Sequence, residues 1–175
     1  INVLATNSGT TINVKDTSSV TGAATGIFVS STVGAISVNT EAGSTVAGTI
    51  GNGIDVSTSN GIVKVETRGT VTTGAGAGSF GISAASNTGS VTVDAYANVT
   101  SGYTGISGTT VNGNVLVTTA AGTTITGAQS GSGSGIDAEA VGTGNTEVNA
   151  QGAVSGNSYG ILSDAVSGTS KVTTG

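Results

Sequence analysis

Residues Gly53 to Gly74 read GIDVSTSNGIVKVETRGTVTTG, and three beats in that stretch decide the fold. A Gly-Ile pair opens it. Gly61 follows eight residues later and leads into Val63-x-Val65, and Val71 gives a last apolar beat before Gly74. Each beat alternates apolar and polar side chains over a few residues, too short for a helix and right for a half-buried strand.

The same beats return along the chain. Gly-Ile recurs at 26–27, 53–54, 81–82, 105–106, 135–136 and 160–161, at intervals of 27, 28, 24, 30 and 25 residues. Gly34, Gly61, Gly89, Gly113 and Gly168 stand eight residues after the Gly of the pair, and Gly144 stands nine after. The second beat reads Ile12-x-Val14, Ile36-x-Val38, Val63-x-Val65, Val91-x-Val93, Val115-x-Val117, Thr146-x-Val148 and Ser170-x-Val172. The third centres on Val20, Val46, Val71, Val99, Ile125 and Val154. A self-similar unit of this length with three strands predicts an all-β, right-handed parallel β-helix (β-solenoid) of about 6–7 coils, each coil stacking on the last. Glycine at the joints is expected to supply the positive φ of tight corners. Residues 1–175 read as one solenoid segment. The chain opens without Met and stops inside a repeat, so the expectation is an excised interior part of a longer repetitive protein.

Composition narrows the function. Only 7% of residues are charged and 3% aromatic, and the net charge of −5 carries just four basic side chains. That argues against nucleic acid as a partner. No cysteine or histidine is present, so thiolate zinc sites, cysteine nucleophiles and Ser-His-Asp triads are excluded. No apolar run approaches 18 residues, and direct membrane insertion by a helix of this segment is not expected. No cofactor is expected, and the chain is not expected to be an enzyme.

With each Gly-Ile isoleucine inward, the outward columns of the first strand run Phe28, Asp55, Ser83, Ser107, Asp137, Leu162 and Ser30, Ser57, Ala85 or its neighbour, Thr109, Glu139, Asp164. Asp137, Glu139 and Asp164 then form an acidic cluster. Paired carboxylates suit glycosidase chemistry or Ca²⁺, and a solvated acidic rim is the plainer reading. GNGID and GSGID faintly echo a calcium-binding nonapeptide. Glu147 and Lys171 share one outward slot of successive coils, as a surface ion pair would. The third beats carry columns of hydroxyl side chains, including Thr70-Val71-Thr72 and Thr124-Ile125-Thr126, which resemble the ice-binding face of β-solenoid antifreeze proteins. Phe80 and Tyr159 precede Gly-Ile pairs at expected corners, and Asn98-Val99-Thr100 matches the glycosylation sequon.

The stretch GISAASNTGSVTVDAYANVTSGYTGISG, Gly81 to Gly108, together with Gly53–Gly74, resembles the repeats of autotransporter passenger regions in Gram-negative bacteria. The likeness runs from Ile12 to Gly175. It implies a right-handed β-helix exported through a C-terminal outer-membrane barrel that is missing here, and a role at the bacterial cell surface or outside the cell. The expected function is a stalk, fibre or adhesion surface. Expected partners are a host or neighbouring-cell surface or matrix component, or other copies of the chain. A self-assembling extracellular filament subunit is the alternative, and ice binding or a carbohydrate-active β-helix are further ones. The resemblance carries over no catalytic residue.

Overall fold

The structure is a computed structural model that describes residues 1–6, 8–76, 78–127 and 132–175. Among the described residues there are strands and no helix. The strands form three parallel sheets, of seven, seven and six members, and each sheet takes every third strand of the chain. The chain therefore winds a β-solenoid of about six turns, with the three strands per coil that the beats predict.

The first sheet runs through Asn2–Ala5, Ile27–Val33, Ile54–Asn60, Phe80–Ser86, Thr104–Asn112, Ser134–Thr143 and Tyr159–Ala165. The V-x-V beats build the second, from Thr10–Val14 to Ser170–Thr174, and the short third beats build the third, from Ser19–Gly22 to Ala153–Ser155. Register follows the beats. Ile27 pairs with Ile54, Ile54 with Ile82, Ile82 with Ile106 and Ile106 with Ile136. All five isoleucines are 0% exposed, and Val38, Val65, Val93, Val117 and Val148 form the matching column of the second sheet. β-branched side chains suit these columns because their single preferred χ1 rotamer leaves little freedom to lose on burial. The nine-residue spacing before Gly144 is absorbed by a register shift between Thr110 and Asn112, after which Asn112 pairs with Thr143.

The glycine corners meet expectation in part: Gly43, Gly78 and Gly122 have positive φ in other turns. Of the column Gly34, Gly61, Gly89, Gly113, Gly144 and Gly168, only Gly34 (φ 110°) and Gly144 (φ 138°) have positive φ. What glycine supplies is proximity. A Cβ on Gly89 would lie 1.8 Å from the Gly61 carbonyl oxygen, and one on Gly113 would lie 2.4 Å from that of Gly89. The glycines of the Gly-Ile pairs form a second close column: a Cβ on Gly81 would meet Val99 Cγ1 at 2.4 Å. Here the third-sheet valine folds back over the start of its own coil.

The core also holds hydroxyls that the beats did not announce. Ser31, Thr58, Ser86 and Thr110 point inward and stack in register. Ser86 Oγ donates to the Gly61 carbonyl (2.8 Å), and Thr110 Oγ1 donates to that of Gly89 (2.9 Å). A buried hydroxyl needs such a partner. The corner glycine that admits no Cβ thus exposes its carbonyl to the next coil's hydroxyl.

Candidate functional site

Three outward faces follow from the alternation of each strand, and they differ in chemistry. The outward face of the first sheet carries four acids, Asp55, Asp137, Glu139 and Asp164, and no base. The second sheet and the corners that follow it hold all four basic side chains and the other five acids. The third sheet carries no charge.

On the first face both predicted columns form. Phe28, Asp55, Ser83, Ser107, Asp137 and Leu162 are successive register partners. So are Ser30, Ser57, Ala85, Thr109, Glu139 and Asp164. Glu139 and Asp164 sit side by side in adjacent strands, and Asp137 lies two residues before Glu139 on the same face. Burial, with Glu139 adding to it, pushes the Asp137 carboxyl above its ordinary value. Among the described residues no group of three potential ligands could hold a metal ion. The nonapeptide echo has a local explanation at its first copy. Asn52 Nδ2 donates to Asp55 (3.0 Å), while Asn52 Oδ1 accepts from the Phe80 amide (2.9 Å). Burial raises the Asp55 pKa, and the bonds from Asn52 and Ser83 oppose that shift.

Phe80 and Tyr159 are the first residues of first-sheet strands and not corner residues. Phe80 meets Tyr103 edge to face, with ring centroids 5.7 Å apart, a favoured aromatic geometry. Tyr159 stays 55% exposed beside Ser134.

The second face is ion-paired. Lys15 meets Glu41 at 3.6 Å, and Glu66 takes both Lys64 (3.4 Å) and Arg68 (2.9 Å). Lys171 bonds Glu147 at 2.7 Å, the predicted cross-coil pair. None of the four cations is left to serve the acidic trio. A denser cluster than the sequence suggested surrounds Glu66. The Arg68 guanidinium lies 4.7 Å from the centroid of the Tyr96 ring, and Asp94 is the register partner of Glu66. Arg68 first, then Lys64, holds the Glu66 carboxyl below its usual value. Burial lifts that of Asp94. Arg68 and Tyr96 lie in corners, outside the alternating beats. Their spacing of 28 residues, equal to one coil interval, is the signal that could have found them.

On the third face Thr70-Val71-Thr72, Val99-Thr100 and Thr124-Ile125-Thr126 stack with Val71, Val99 and Ile125 inward. Thr45 and Ser19 hydroxyls bond to each other at 3.0 Å. The Asn98 side-chain oxygen accepts from the Thr124 amide (2.8 Å), tying one coil to the next.

No protein-family model, no curated protein and no solved structure matches this chain.

Proposed function

We propose that this solenoid is a structural and adhesive segment of a secreted bacterial surface protein, a stalk or display surface of the kind the autotransporter-like repeats suggest. The observation that carries the reading is the stacking itself: about six turns in three continuous sheets, with close glycine corners and the Lys15–Glu41 and Lys171–Glu147 ion pairs joining coil to coil. Chemistry at a point would require converging groups. Three of the four acids of the first face are neighbours, but they stand on an open sheet with no basic side chain among them, and the cations of the second are each engaged by a glutamate. Binding then occurs across broad faces, to a host or neighbouring-cell surface or matrix component, with a barrel elsewhere in the parent protein anchoring the segment to the outer membrane. The test is to immobilise the 175-residue segment on beads and measure retention on epithelial cells, bacterial cells and extracellular matrix. Retention above that of beads carrying an unrelated solenoid supports adhesion. Equal retention on every surface removes the adhesive part and leaves the stalk. Fibres whose length grows with protein concentration would replace the reading with end-to-end self-assembly.

A further inference from the structure

Asparagine followed by glycine is the dipeptide most prone to lose its side-chain amide, because glycine has no Cβ to shield its own backbone nitrogen. That nitrogen attacks the asparagine Cγ, ammonia leaves, and water opens the resulting cyclic imide to aspartate or isoaspartate. The chain holds three such dipeptides, Asn52-Gly53, Asn60-Gly61 and Asn112-Gly113. The first stands just before the strand Ile54–Asn60, the second at its end, and the third at the end of Thr104–Asn112. The reacting residues are the same in all three, so any difference in their fate comes from the fold.

The reaction needs the glycine amide, and two of the three are committed. The Gly53 amide donates to the Phe80 carbonyl (3.0 Å), and the Gly113 amide donates to that of Thr143 (2.9 Å). Asn52 is pinned further. Its Nδ2, the nitrogen that would leave, donates to Asp55 at 3.0 Å, and its Oδ1 accepts from the Phe80 amide at 2.9 Å. Gly61 differs. Among the described residues no acceptor takes its amide, although its carbonyl is engaged by Ser86 Oγ. Asn60 is exposed, and the Thr88 hydroxyl reaches its Oδ1 at 3.1 Å while sharing its proton with the Ser59 carbonyl at 3.3 Å. A donor at that oxygen stabilises the oxyanion that forms when a nitrogen adds to Cγ. Asn112 has a like donor in Thr143 Oγ1 at 3.2 Å, so the state of the glycine amide is what separates these two sites.

We propose that Asn60-Gly61 is the solenoid's site of spontaneous modification, converting to isoaspartate and aspartate in the folded chain while Asn52 and Asn112 are protected. The Gly61 nitrogen gives up its proton as its bond to Asn60 Cγ forms, and the Cγ–Nδ2 bond breaks to release ammonia. Water then adds to one of the two imide carbonyls. Addition at the Asn60 main-chain carbonyl yields isoaspartate: the chain now runs through Cγ and is one methylene longer, and the carbonyl that accepts the Gly34 amide becomes a free carboxylate. The extra length enters directly before Gly61, whose own carbonyl takes the Ser86 hydroxyl and lies too close to Gly89 to admit a Cβ there. The modification therefore acts on the seat between this coil and the next.

Peptide mapping by mass spectrometry of the 175-residue chain, incubated at mildly alkaline pH, tests the assignment, with isoaspartyl methyltransferase labelling to identify the product. In the folded chain the Asn60 peptide should convert at least about tenfold faster than those of Asn52 and Asn112, the ratio expected when a bonded amide must first open locally. In urea the three should convert at similar rates. Thr88→Val should slow conversion at Asn60 about two- to fivefold in the folded chain, the size of one exposed and shared hydrogen bond, and leave the rate in urea unchanged. Asn60→Gln should abolish the fast product. Conversion of Asn52 or Asn112 as fast as Asn60 in the folded chain, a faster site elsewhere, or the same ranking in urea as in the folded chain would each overturn the proposal.

Discussion

The hydroxyl of Thr110 donates to the carbonyl of Gly89 one coil earlier, at 2.9 Å and out of contact with solvent. Thr67, equally buried, has no hydrogen-bond partner for its Oγ1. The two threonines are therefore opposite experiments. Thr110→Val should cost about 1 kcal/mol, because it leaves the half-buried Gly89 carbonyl without its donor, and Thr110→Ser should recover much of that. Thr67→Val removes an unsatisfied hydroxyl at constant shape and should stabilise by up to about 1 kcal/mol. Urea unfolding midpoints read both.

Gly89→Ala should be among the most damaging small substitutions in the chain. Its Cβ would fall 1.8 Å from the Gly61 carbonyl oxygen, backbone that can move only by shifting the coil beneath. A cost of about 3 kcal/mol or more is expected, at the upper end for overpacking. Gly76→Ala is the control. Its Cβ would meet nothing closer than the Ile50 carbonyl at 3.4 Å, and its effect should lie within about 0.5 kcal/mol. Equal losses from both would refute close approach as the reason for the corner column.

Thr17 holds φ at 57°, in a turn where the equivalent residues Gly43 and Gly122 hold 80° and 79°. The left-handed conformation costs a β-branched residue about 1–2 kcal/mol, and glycine gives back about 0.5–1 kcal/mol of that through its freer unfolded chain. Thr17→Gly should therefore raise stability by about 0.5–1 kcal/mol, visible as a later thermal midpoint.

Stability should peak in mild acid. The pKa values of Asp55, Asp94 and Asp137 are raised in the folded state from 3.8, so the fold binds their protons more tightly than the unfolded chain does. Their ionisation destabilises at neutral pH, and that penalty disappears as pH falls through the raised values toward 3.8. Glu66 has the opposite sign. Its pKa is lowered from 4.5, so its contribution is whole above 4.5 and lost as pH drops below that. A urea midpoint that rises from neutral pH to near 4.5 and then declines is the expected profile, and Asp94→Asn should flatten its neutral side.

How much of this was legible depends on periodicity. The Gly-Ile and V-x-V beats sit at fixed offsets and face one way, and they led to the sheets, the core columns and the register that sets Glu139 beside Asp164. Ser31, Thr58, Ser86 and Thr110 also stand at a fixed offset, five residues after the Gly of each pair. The alternation that turns Ser30, Ser57 and Thr109 outward turns these hydroxyls inward, but nothing in the sequence shows that a glycine carbonyl awaits Thr58, Ser86 and Thr110. Corner residues such as Arg68 and Tyr96 belong to no alternating pattern, so their stacking emerges only once the backbone has turned. The acids of the first face were legible as a column. Their lack of a counter-cation followed only when every lysine and arginine was found engaged elsewhere.

The corner column of glycines has a consequence for how such a molecule changes in time. Because each corner is gauged only against the one below, the rod has no preferred length. Duplication or loss of one repeat in the gene would insert or delete a whole coil and leave the remaining corners seated as before. Reach could then lengthen or shorten in steps of about 4.8 Å, while every face kept its own chemistry along the added length.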